Sequence, residues 1–426
     1  MAGQTNSIPT ELGTEKIGKL LRQYALPAII AQTAASLYNM VDSIFIGQGV
    51  GPLAISGLAV TFPLMNLSTA FGTLVGVGAA TMLSVLLGQK NYAAANKVLG
   101  NVVTLNTIIG LVFMAIALTF IDPILYFFGA SENTLPFAKE YIRIILIGNV
   151  VTHLYFGLNA AMRSSGHPKK AMGLTIFTVV FNTILDPIFI FVLDMGIAGA
   201  AWATVIAQTA AMIVVMMHFS NKKSPFHFEK GIFRLDKRVA KDSLAIGMGP
   251  FLMNAAACLV TLFINQQLRK YSGDLGIGAY GICNRFVFMF IMICMGLNQG
   301  MQPIAGYNYG ARQYSRVREV FWKTAKLGMI VTTICFLIGF FIPKLAAGIF
   351  THDEQLLELS ARSMKVLTLA FPIVGLQMIG TNFFQSIGMV KRSIFLSLTR
   401  QILFLLPCLY FLPIAIGNAM EARTGA

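Results

Sequence analysis

Two carboxylates stand where carboxylates are rare, inside long apolar stretches of the chain. Of the seventeen acidic residues, only Asp42 and Asp186 lie well within such stretches. Placing an Asp at the centre of a bilayer costs about 2.5 to 3.5 kcal/mol, so an acid in that position points to a function. Two carboxylates close together in a low dielectric bind a hard cation or share a proton. The alternative is that Asp42 only ends a helix and Asp186 only begins an Asp-Pro break.

The spacing of two uncharged polar residues favours a site. Asn182 precedes Asp186 by four residues, which places both on one helix face. Asp186 lies nine residues before a turn near Met195 and Thr204 nine residues after it, so both reach about 13 Å below that turn. Asp42 falls in the same outer half of the bilayer. We therefore expect Asp42, Asn182, Asp186 and Thr204 to converge on one site for Na⁺ or H⁺, and to be the metal ligands if the ion is Na⁺.

The apolar stretches predict an all-α polytopic membrane protein. Hydrophobic residues make up 56% of the 426 residues and charged residues only 12%, whereas soluble domains carry about 25% charged residues. Each stretch has roughly the 20 residues that a helix needs to cross a bilayer. The eleven predicted spans cover residues 24–46, 54–80, 98–121, 141–162, 171–193, 197–219, 244–267, 276–302, 324–343, 364–386 and 393–412.

The formal net charge of +15 reflects topology. Basic residues gather in alternate loops, and the intervening loops carry acids. By the positive-inside rule this pattern predicts a cytoplasmic N-terminus. Because membrane topology accounts for the excess of basic residues, we expect no nucleic-acid partner.

The chain repeats itself at a spacing of 222 residues. Identical or similar residues recur at that distance in several places, among them the pairs Gly88/Gly310, Lys90/Arg312, Tyr92/Tyr314 and Gly166/Gly388. With six spans in the first copy, both copies enter from the same side, which implies two lobes related by an axis along the membrane normal. A cleft between two such lobes is typical of secondary transporters.

The repeat predicts the domain organisation. Residues 1–219 form an N-terminal lobe of helices 1 to 6, residues 220–242 a cytoplasmic linker, and residues 243–426 a C-terminal lobe of helices 7 to 11. The residue that corresponds to Thr204 is Ala426. We therefore expect the twelfth helix of a complete pair of six-helix bundles to be missing from this chain.

Only the first lobe carries the acids. Asn265 or Ile264 corresponds to Asp42, and Cys408 corresponds to Asp186. Ion coupling is therefore expected in the first lobe alone.

Other residues are candidates for a substrate cavity. Gln32, Tyr38 and Asn39 share a span with Asp42. Arg285 in the second lobe either lines the cleft or extends to the bilayer surface and pairs locally. Pro27 removes one backbone hydrogen bond from the first span and allows a bend there, which would link cation binding at Asp42 to the shape of that helix.

Four segments of the chain carry a family resemblance. They are NMVDSIFIG at 39–47, RSSGHPKKA at 163–171, NTILDPIFIF at 182–191 and GLNQGMQPIAGYNYGAR at 296–312. These segments closely resemble the MATE family, the multidrug and toxic compound extrusion transporters, and the last segment is most similar to the MepA-like bacterial branch. The resemblance covers nearly the whole chain.

The resemblance implies an antiporter with two six-helix lobes in the bacterial inner membrane. It would export cationic or amphipathic drugs by alternating access in exchange for Na⁺ or H⁺, with no other cofactor. The cation site of the family falls on Asp42, Asn182, Asp186 and Thr204. We expect a monomer in the lipid bilayer, with small organic cations or drugs as its partners.

Two alternatives stay open. A lipid-linked saccharide flippase of the same superfamily should have several arginines in the cleft, where only Arg285 is visible. An intramembrane enzyme should have a His/Glu metal pair or a Ser/Lys nucleophile within the spans. Neither the metal pair nor the Ser/Lys arrangement is found within the spans, so we expect a transporter and no enzyme.

Overall fold

The computed structural model describes residues 10–222, 226–229, 231–351 and 353–411. For residues 39, 40, 47, 52, 262, 265, 266, 268–274 and 277 it describes the backbone only. Every regular element in these ranges is helical.

The first lobe begins with a short helix and continues with long ones. Its elements are α1 (Glu11–Thr14), α2 (Ile17–Gly49), α3 (Pro52–Gly88), α4 (Tyr92–Thr119), α5 (Ile121–Phe127), α6 (Leu135–Ile147), α7 (Asn149–Ser164), α8 (Pro168–Pro187), a π-helical turn (Ile188–Val192) and α9 (Gly196–Ser220). The second lobe contains α10 (Lys237–Gly310), α11 (Tyr314–Phe341), α12 (Pro343–Gly348), α13 (Glu354–Thr368), α14 (Phe371–Ser386), α15 (Val390–Leu398) and a second π-helical turn (Thr399–Leu405).

The described part of the chain contains nine segments that are long and apolar enough to cross a membrane. Two further spans are broken helices, α6 with α7 and α13 with α14, and each is bent by 53°. Counting each bent pair as one span gives eleven, the number that the apolar stretches predict. The structure confirms the prediction of an all-helical polytopic membrane protein.

The internal repeat is visible in the backbone. The bounds of α4 and α11 differ by 222 residues at both ends, and so do the bounds of α7 and α14. Lys90 and Arg312, which have the same spacing, both adopt a φ of 59°. Few residues other than glycine adopt this left-handed conformation. The two copies therefore repeat individual turns as well as whole helices.

The helix α10 folds back on itself. The amide of Gln302 donates hydrogen bonds to the Val77 carbonyl (3.2 Å) and to the Thr81 hydroxyl (2.8 Å). Gly247 lies against Leu74 of the same helix α3. A straight helix would separate residues 247 and 302 by roughly 80 Å. The 74 residues of α10 are therefore two antiparallel spans, Lys237–Thr261 and Gly278–Gly310, and the turn predicted between residues 267 and 276 keeps a helical backbone.

The linker between the lobes packs along α4. The Asn96 amide donates to the Glu229 carboxylate at 2.9 Å, and the Thr104 hydroxyl donates to the carbonyl of Phe233 at 2.8 Å. The Asp236 N–H donates to the Asn101 side chain at 3.0 Å. The Asp236 carboxylate also accepts the N–H groups of residues 238 and 239, so it caps α10. The connection thus ends at Asp236, six residues before the predicted boundary at 242.

The lobes meet through reciprocal glycine contacts between α3 and α10. A Cβ on Gly88 would lie 1.9 Å from the Tyr307 carbonyl oxygen, and a Cβ on Gly310 would lie 2.0 Å from the Val85 carbonyl oxygen. At the 222-residue spacing, Gly88 corresponds to Gly310 and Val85 corresponds to Tyr307, so each contact is the counterpart of the other. This is the pattern that a two-fold axis produces. The pseudo-two-fold axis therefore passes between these two helices.

The described contacts between the lobes are concentrated near one end of the bundle, which we call the basic end because Lys90 and Arg312 lie there. Along α3 they run from Phe71, whose ring lies 4.9 Å from that of Phe251, to Gly88. The other half of α3 packs on the first lobe, where Ala54 shares a core with other first-lobe residues. The cleft between the lobes therefore opens away from the basic end.

Candidate functional site

The two intramembrane acids lie in the part of the first lobe that is remote from the basic end. Asp42 belongs to α2 and Asp186 to the end of α8. A close approach between Gly49, which ends α2, and Ile190 in the π-helical turn places these two elements in contact, since a Cβ on Gly49 would lie 2.4 Å from the Ile190 side chain. Asp42 precedes Gly49 by two turns and Asp186 precedes Ile190 by one. Both acids therefore reach a similar depth.

Both carboxyl groups are buried and near each other. Asp186 is 0% exposed and Asp42 is 6% exposed. The two carboxyls are close enough to interact electrostatically. Within the described residues, both Asp186 oxygens and the Asp42 Oδ1 atom lack a hydrogen-bond partner. A buried charge without a partner is costly, so these oxygens fit a bound proton or a hard cation.

Asn182, one turn before Asp186 on α8, is hydrogen-bonded to Thr204 on α9. The Asn182 amide nitrogen donates to the Thr204 hydroxyl at 3.2 Å, and the Tyr38 and Thr204 hydroxyls are 3.0 Å apart. Because its nitrogen is occupied in this way, Asn182 presents its carbonyl oxygen, and that atom also lacks a partner in the described part of the chain. The four predicted residues are therefore all buried and lie on three elements that meet in the first lobe.

The backbone beside Asp186 is irregular. Pro187 follows it directly and has no N–H to donate, and the chain then widens into the π-helical turn Ile188–Val192. Single π-helical turns of this kind often occur at functional sites. The Asp-Pro pair thus ends the regular helix at the position where the acid must face into the lobe.

At the basic end, hydrogen bonds tie the two lobes together. The Arg163 guanidinium on α7 donates to the Gln299 side chain on α10 at 3.0 Å. Arg316 on α11 donates to the backbone carbonyls of Leu12 (3.1 Å) and Glu15 (2.6 Å), which precede α2. The site and this closed end are therefore at opposite ends of the cleft.

Comparison with known proteins decides the family. The MatE family model matches residues 27–188 and 250–425, which together are most of the chain. The chain belongs to the MatE family. The two matched segments also follow the two copies of the repeat.

Individual MatE proteins are similar over nearly the whole chain. The multidrug export protein MepA of Staphylococcus aureus (strain MRSA252) is 27% identical over 407 residues, 96% of this chain and 88% of that protein. MepA of Staphylococcus haemolyticus (strain JCSC1435) is 28% identical over 416 residues, 96% of this chain and 91% of that protein. The solved structure of the MATE multidrug transporter DinF-BH superposes with a TM-score of 0.88 at 34% identity, covering 97% of this chain and 92% of that chain.

The residues predicted to line the substrate cavity fall in different places in this MatE chain. Tyr38 lies at the site, where its hydroxyl meets Thr204. Gln32 is half-buried and ten residues before Asp42, about 15 Å away along the helix. Asn39 lies outside the described side chains. Arg285 is exposed, and within the described residues no hydrogen bond or ion pair joins it to the site.

Pro27 does not break α2. The helix continues from Ile17 to Gly49 and counts as one span, and the two sharply bent spans lie elsewhere. Close contacts with α10 flank the proline on both sides. A Cβ on Gly300 would lie 2.4 Å from the Cα of Ala25, and a Cβ on Gly296 would lie 2.6 Å from the Cα of Ile29. Helix α10 therefore packs closely against α2 on both sides of the proline.

One site residue has no counterpart among the sequence predictions. The ring of Tyr141 on α6 is 2% exposed, and it shares an apolar core with Ile46 of α2 and Ile190 of the π-helical turn, close to the two acids in the chain. Tyr141 precedes the second acid by 45 residues in the chain, and no periodic pattern links it to either acid. The sequence shows only a tyrosine within an apolar span. Its position beside the acids becomes visible only in the tertiary structure.

A second buried polar cluster joins α7 to α3 and α9. His153 is 0% exposed, and its Nε2 atom lies 2.9 Å from the Ser68 carbonyl oxygen. The Ser68 hydroxyl donates to the Asn149 side chain. On the neighbouring face of α7, Thr152 donates to Gln208, which lies one turn after Thr204 on α9. These bonds fix α7 against α3 and α9, the helix that carries Thr204.

The second lobe differs at the matching positions. Cys408, which corresponds to Asp186, is exposed, and the side chain of Asn265 is outside the description. Among the described residues, no group of three or more His, Cys, Asp or Glu side chains is placed to hold a metal ion. The donor set of the first lobe, two carboxylates with an amide and a hydroxyl oxygen, instead suits Na⁺ or a proton.

Proposed function

We propose that this MatE protein is a cation-coupled antiporter that exports cationic or amphipathic organic compounds by alternating access of the cleft between its lobes. The observation that carries the proposal is the pair of neighbouring buried acids, Asp42 and Asp186, which leave oxygens without hydrogen-bond donors in the described part of the chain. Occupancy by Na⁺ or H⁺ would change the charge of the site by one unit. That change is what a coupled carrier needs to favour one conformation over the other.

The relatives support the substrate class. The two MepA proteins are multidrug export proteins by name, and DinF-BH is named as a multidrug transporter. The chain has 22 Met and 33 Phe residues in its helical lobes and between them. Such side chains adapt to apolar ligands of different shapes. We therefore propose organic cations and amphipathic drugs as substrates.

The orientation follows from the basic residues. Lys90 and Arg312 lie at the end where the lobes meet, and the positive-inside rule assigns that end to the cytoplasm. We propose that the protein lies in the bacterial inner membrane with its N-terminus in the cytoplasm. The structure described above then has its cleft open to the outside.

The energy released by one inward cation is sufficient to export one uncharged molecule against a gradient. An elementary charge that moves through 100 mV releases about 2.3 kcal/mol. Since about 1.4 kcal/mol corresponds to a tenfold ratio, one charge can maintain a gradient of a few tens-fold in an uncharged substrate. Coupling at a single site in the first lobe is therefore enough to drive export of an uncharged compound, whereas one-for-one exchange with a monovalent organic cation is electroneutral and would be driven by the concentration gradient of the coupling ion.

The test is transport in proteoliposomes. Vesicles that contain the purified protein would receive a Na⁺ gradient or a pH gradient, each alone, and the movement of ethidium would be followed by fluorescence. We expect one of the two gradients to drive transport in the unmodified protein, and neither to do so in Asp186→Asn. The control is Asp194→Asn, the same chemical change at an exposed position eight residues later, which should leave transport unchanged. Gradient-driven transport that persists in both Asp42→Asn and Asp186→Asn would contradict the proposal.

A further inference from the structure

A groove on the membrane-facing side of the bundle follows the boundary between the lobes near the basic end. It has a volume of ≈ 510 Å³ and lies between α2 of the first lobe and α10 and α11 of the second. Its walls are aliphatic and include Leu26, Ile29, Ile293, Leu297, Leu327 and Val331. At its floor α2 and α10 are in backbone contact through Gly296. The groove is therefore apolar and closed at its floor, and each lobe forms one of its sides.

Basic side chains surround one end of this groove. Arg22, Lys323 and Lys326 line it, and all three are exposed. Lys323 forms an ion pair with Glu319 at 2.7 Å. Among the described residues, neither Arg22 nor Lys326 has an ion-pair partner. The rim thus carries an excess of two positive charges over an aliphatic interior.

The basic rim lies at the level of a bilayer surface. Trp322, next to Lys323, is 48% exposed, and exposed tryptophans concentrate at the boundary between lipid and water. The apolar walls continue from there along α2 and α11 toward the middle of the spans. Charge at the interface above an apolar channel is the distribution that complements a lipid with an anionic headgroup.

We propose that this groove binds an anionic phospholipid, with its phosphate on Arg22, Lys323 and Lys326 and one acyl chain between the lobes. The walls belong to both lobes, so a bound lipid contacts both of them at the end where they meet. Binding therefore stabilises the arrangement that is closed at the basic end. This inference is independent of the coupling ion and of the exported compound.

The test uses the full-length protein in detergent micelles, with bound lipid counted by native mass spectrometry after addition of phosphatidylglycerol or phosphatidylcholine. Each basic side chain near an anionic surface contributes about 1 kcal/mol, or about fivefold in affinity. We expect phosphatidylglycerol to bind in preference to phosphatidylcholine, and the double variant Arg22→Gln/Lys326→Gln to reduce that binding by about 25-fold. The control is Lys237→Gln/Lys241→Gln, which removes two exposed basic residues at the start of α10 and should bind as the unmodified protein does.

A second variant fills the groove without changing its charge. Gly18 lines the basic end, and a Cβ there would meet only the Lys323 ammonium, at 3.8 Å. Gly18→Leu therefore places a side chain in the channel without backbone conflict and with better helix propensity. We expect it to retain all positive charges and still lose phosphatidylglycerol.

Several outcomes would overturn the proposal. Equal retention of phosphatidylcholine and phosphatidylglycerol would refute recognition of an anionic headgroup. Undiminished binding in both groove variants would refute the location. If inorganic phosphate displaces phosphatidylglycerol in the same measurement, a free anion is the occupant. A dimer that dissociates in Gly18→Leu would make a second copy of the chain the occupant.

Discussion

The two lobes share a backbone and differ in chemistry. The helices α4 and α11 have equivalent bounds, and the left-handed turns at Lys90 and Arg312 have the same φ. At the position of Asp186, which is buried and has no hydrogen-bond partner among the described residues, the second lobe has an exposed cysteine, Cys408. Repetition of the backbone therefore supports the architecture and the two-fold interface, while the proposed ion site depends on side chains that one copy alone has.

The largest expected effect tests this asymmetry directly. Asp42→Asn should abolish drug efflux, because the amide cannot supply the negative charge that a cation or proton neutralises. Asn265→Ala, the change at the corresponding position of the second lobe, should leave efflux near the unmodified level. Ethidium efflux from cells with equal amounts of each protein in the membrane measures both. Equal loss in the two variants would mean that the lobes contribute alike.

The next effect concerns what the lobes share, their interface. Gly78→Ala and Gly300→Ala place a Cβ 1.9 Å from the Ser243 carbonyl and 2.4 Å from the Cα of Ala25, contacts that neither backbone can accept. We expect each to destabilise the closed basic end by about 1 to 3 kcal/mol.

The thermal unfolding temperature in detergent and the efflux rate should fall in both glycine variants. Gly281→Ala is the control, since a Cβ there meets nothing within 4 Å. A loss in only one of the two interface variants would show that the interface is less symmetric than the backbone.

A smaller effect is expected at Thr204. Thr204→Val removes the hydroxyl that joins Asn182 to Tyr38, and an unpaired buried polar group costs about 1 to 3 kcal/mol. The coupling-ion concentration for half-maximal efflux should therefore rise by about tenfold. Thr209→Val on the same helix is the control, because that hydroxyl bonds only to the Val205 carbonyl of its own helix among the described contacts. An unchanged ion dependence in Thr204→Val would remove Thr204 from the site.

The smallest effect should be equal in the two lobes. Lys90→Gly and Arg312→Gly each relieve a left-handed conformation that costs a residue with a side chain about 1 kcal/mol. Each variant should raise the thermal unfolding temperature slightly and by a similar amount. Lys97→Gly, within α4, should lower it, since glycine in a helix interior costs about 1 kcal/mol. Unequal changes in the two turn variants would show that the copies are energetically different even where their backbones agree.

The sequence was sufficient for features that depend on local composition. Apolar length predicts eleven spans, and the 222-residue spacing predicts a repeat that the helix bounds now show. Spacing also placed Asn182, Asp186 and Thr204 on adjoining faces, because they lie on two helices joined by one short turn.

Features that depend on long-range packing were not predictable. The 53° bend between α6 and α7 falls at Gly148, with no proline at the break. The bend of the same size between α13 and α14 falls at Leu369 and Ala370, directly before Pro372 in the first turn of α14, and there the proline gave a sequence signal. Tyr141 comes close to Ile46 and Ile190 only through the tertiary packing of α6, which also lies beside α9. Pro27 predicts a bend in α2, and the helical assignment continues across it from Ile17 to Gly49.

The way in which the linker packs determines where the molecule can hinge. Because Glu229, Phe233 and Asp236 are bonded to α4, this connection moves as part of the first lobe and provides almost no slack. In the proposed alternating access, rocking of one lobe against the other would then pivot close to Lys237, where α10 begins. A probe attached at Gly231 would stay at a constant distance from α4 throughout the transport cycle, and one on α11 would not.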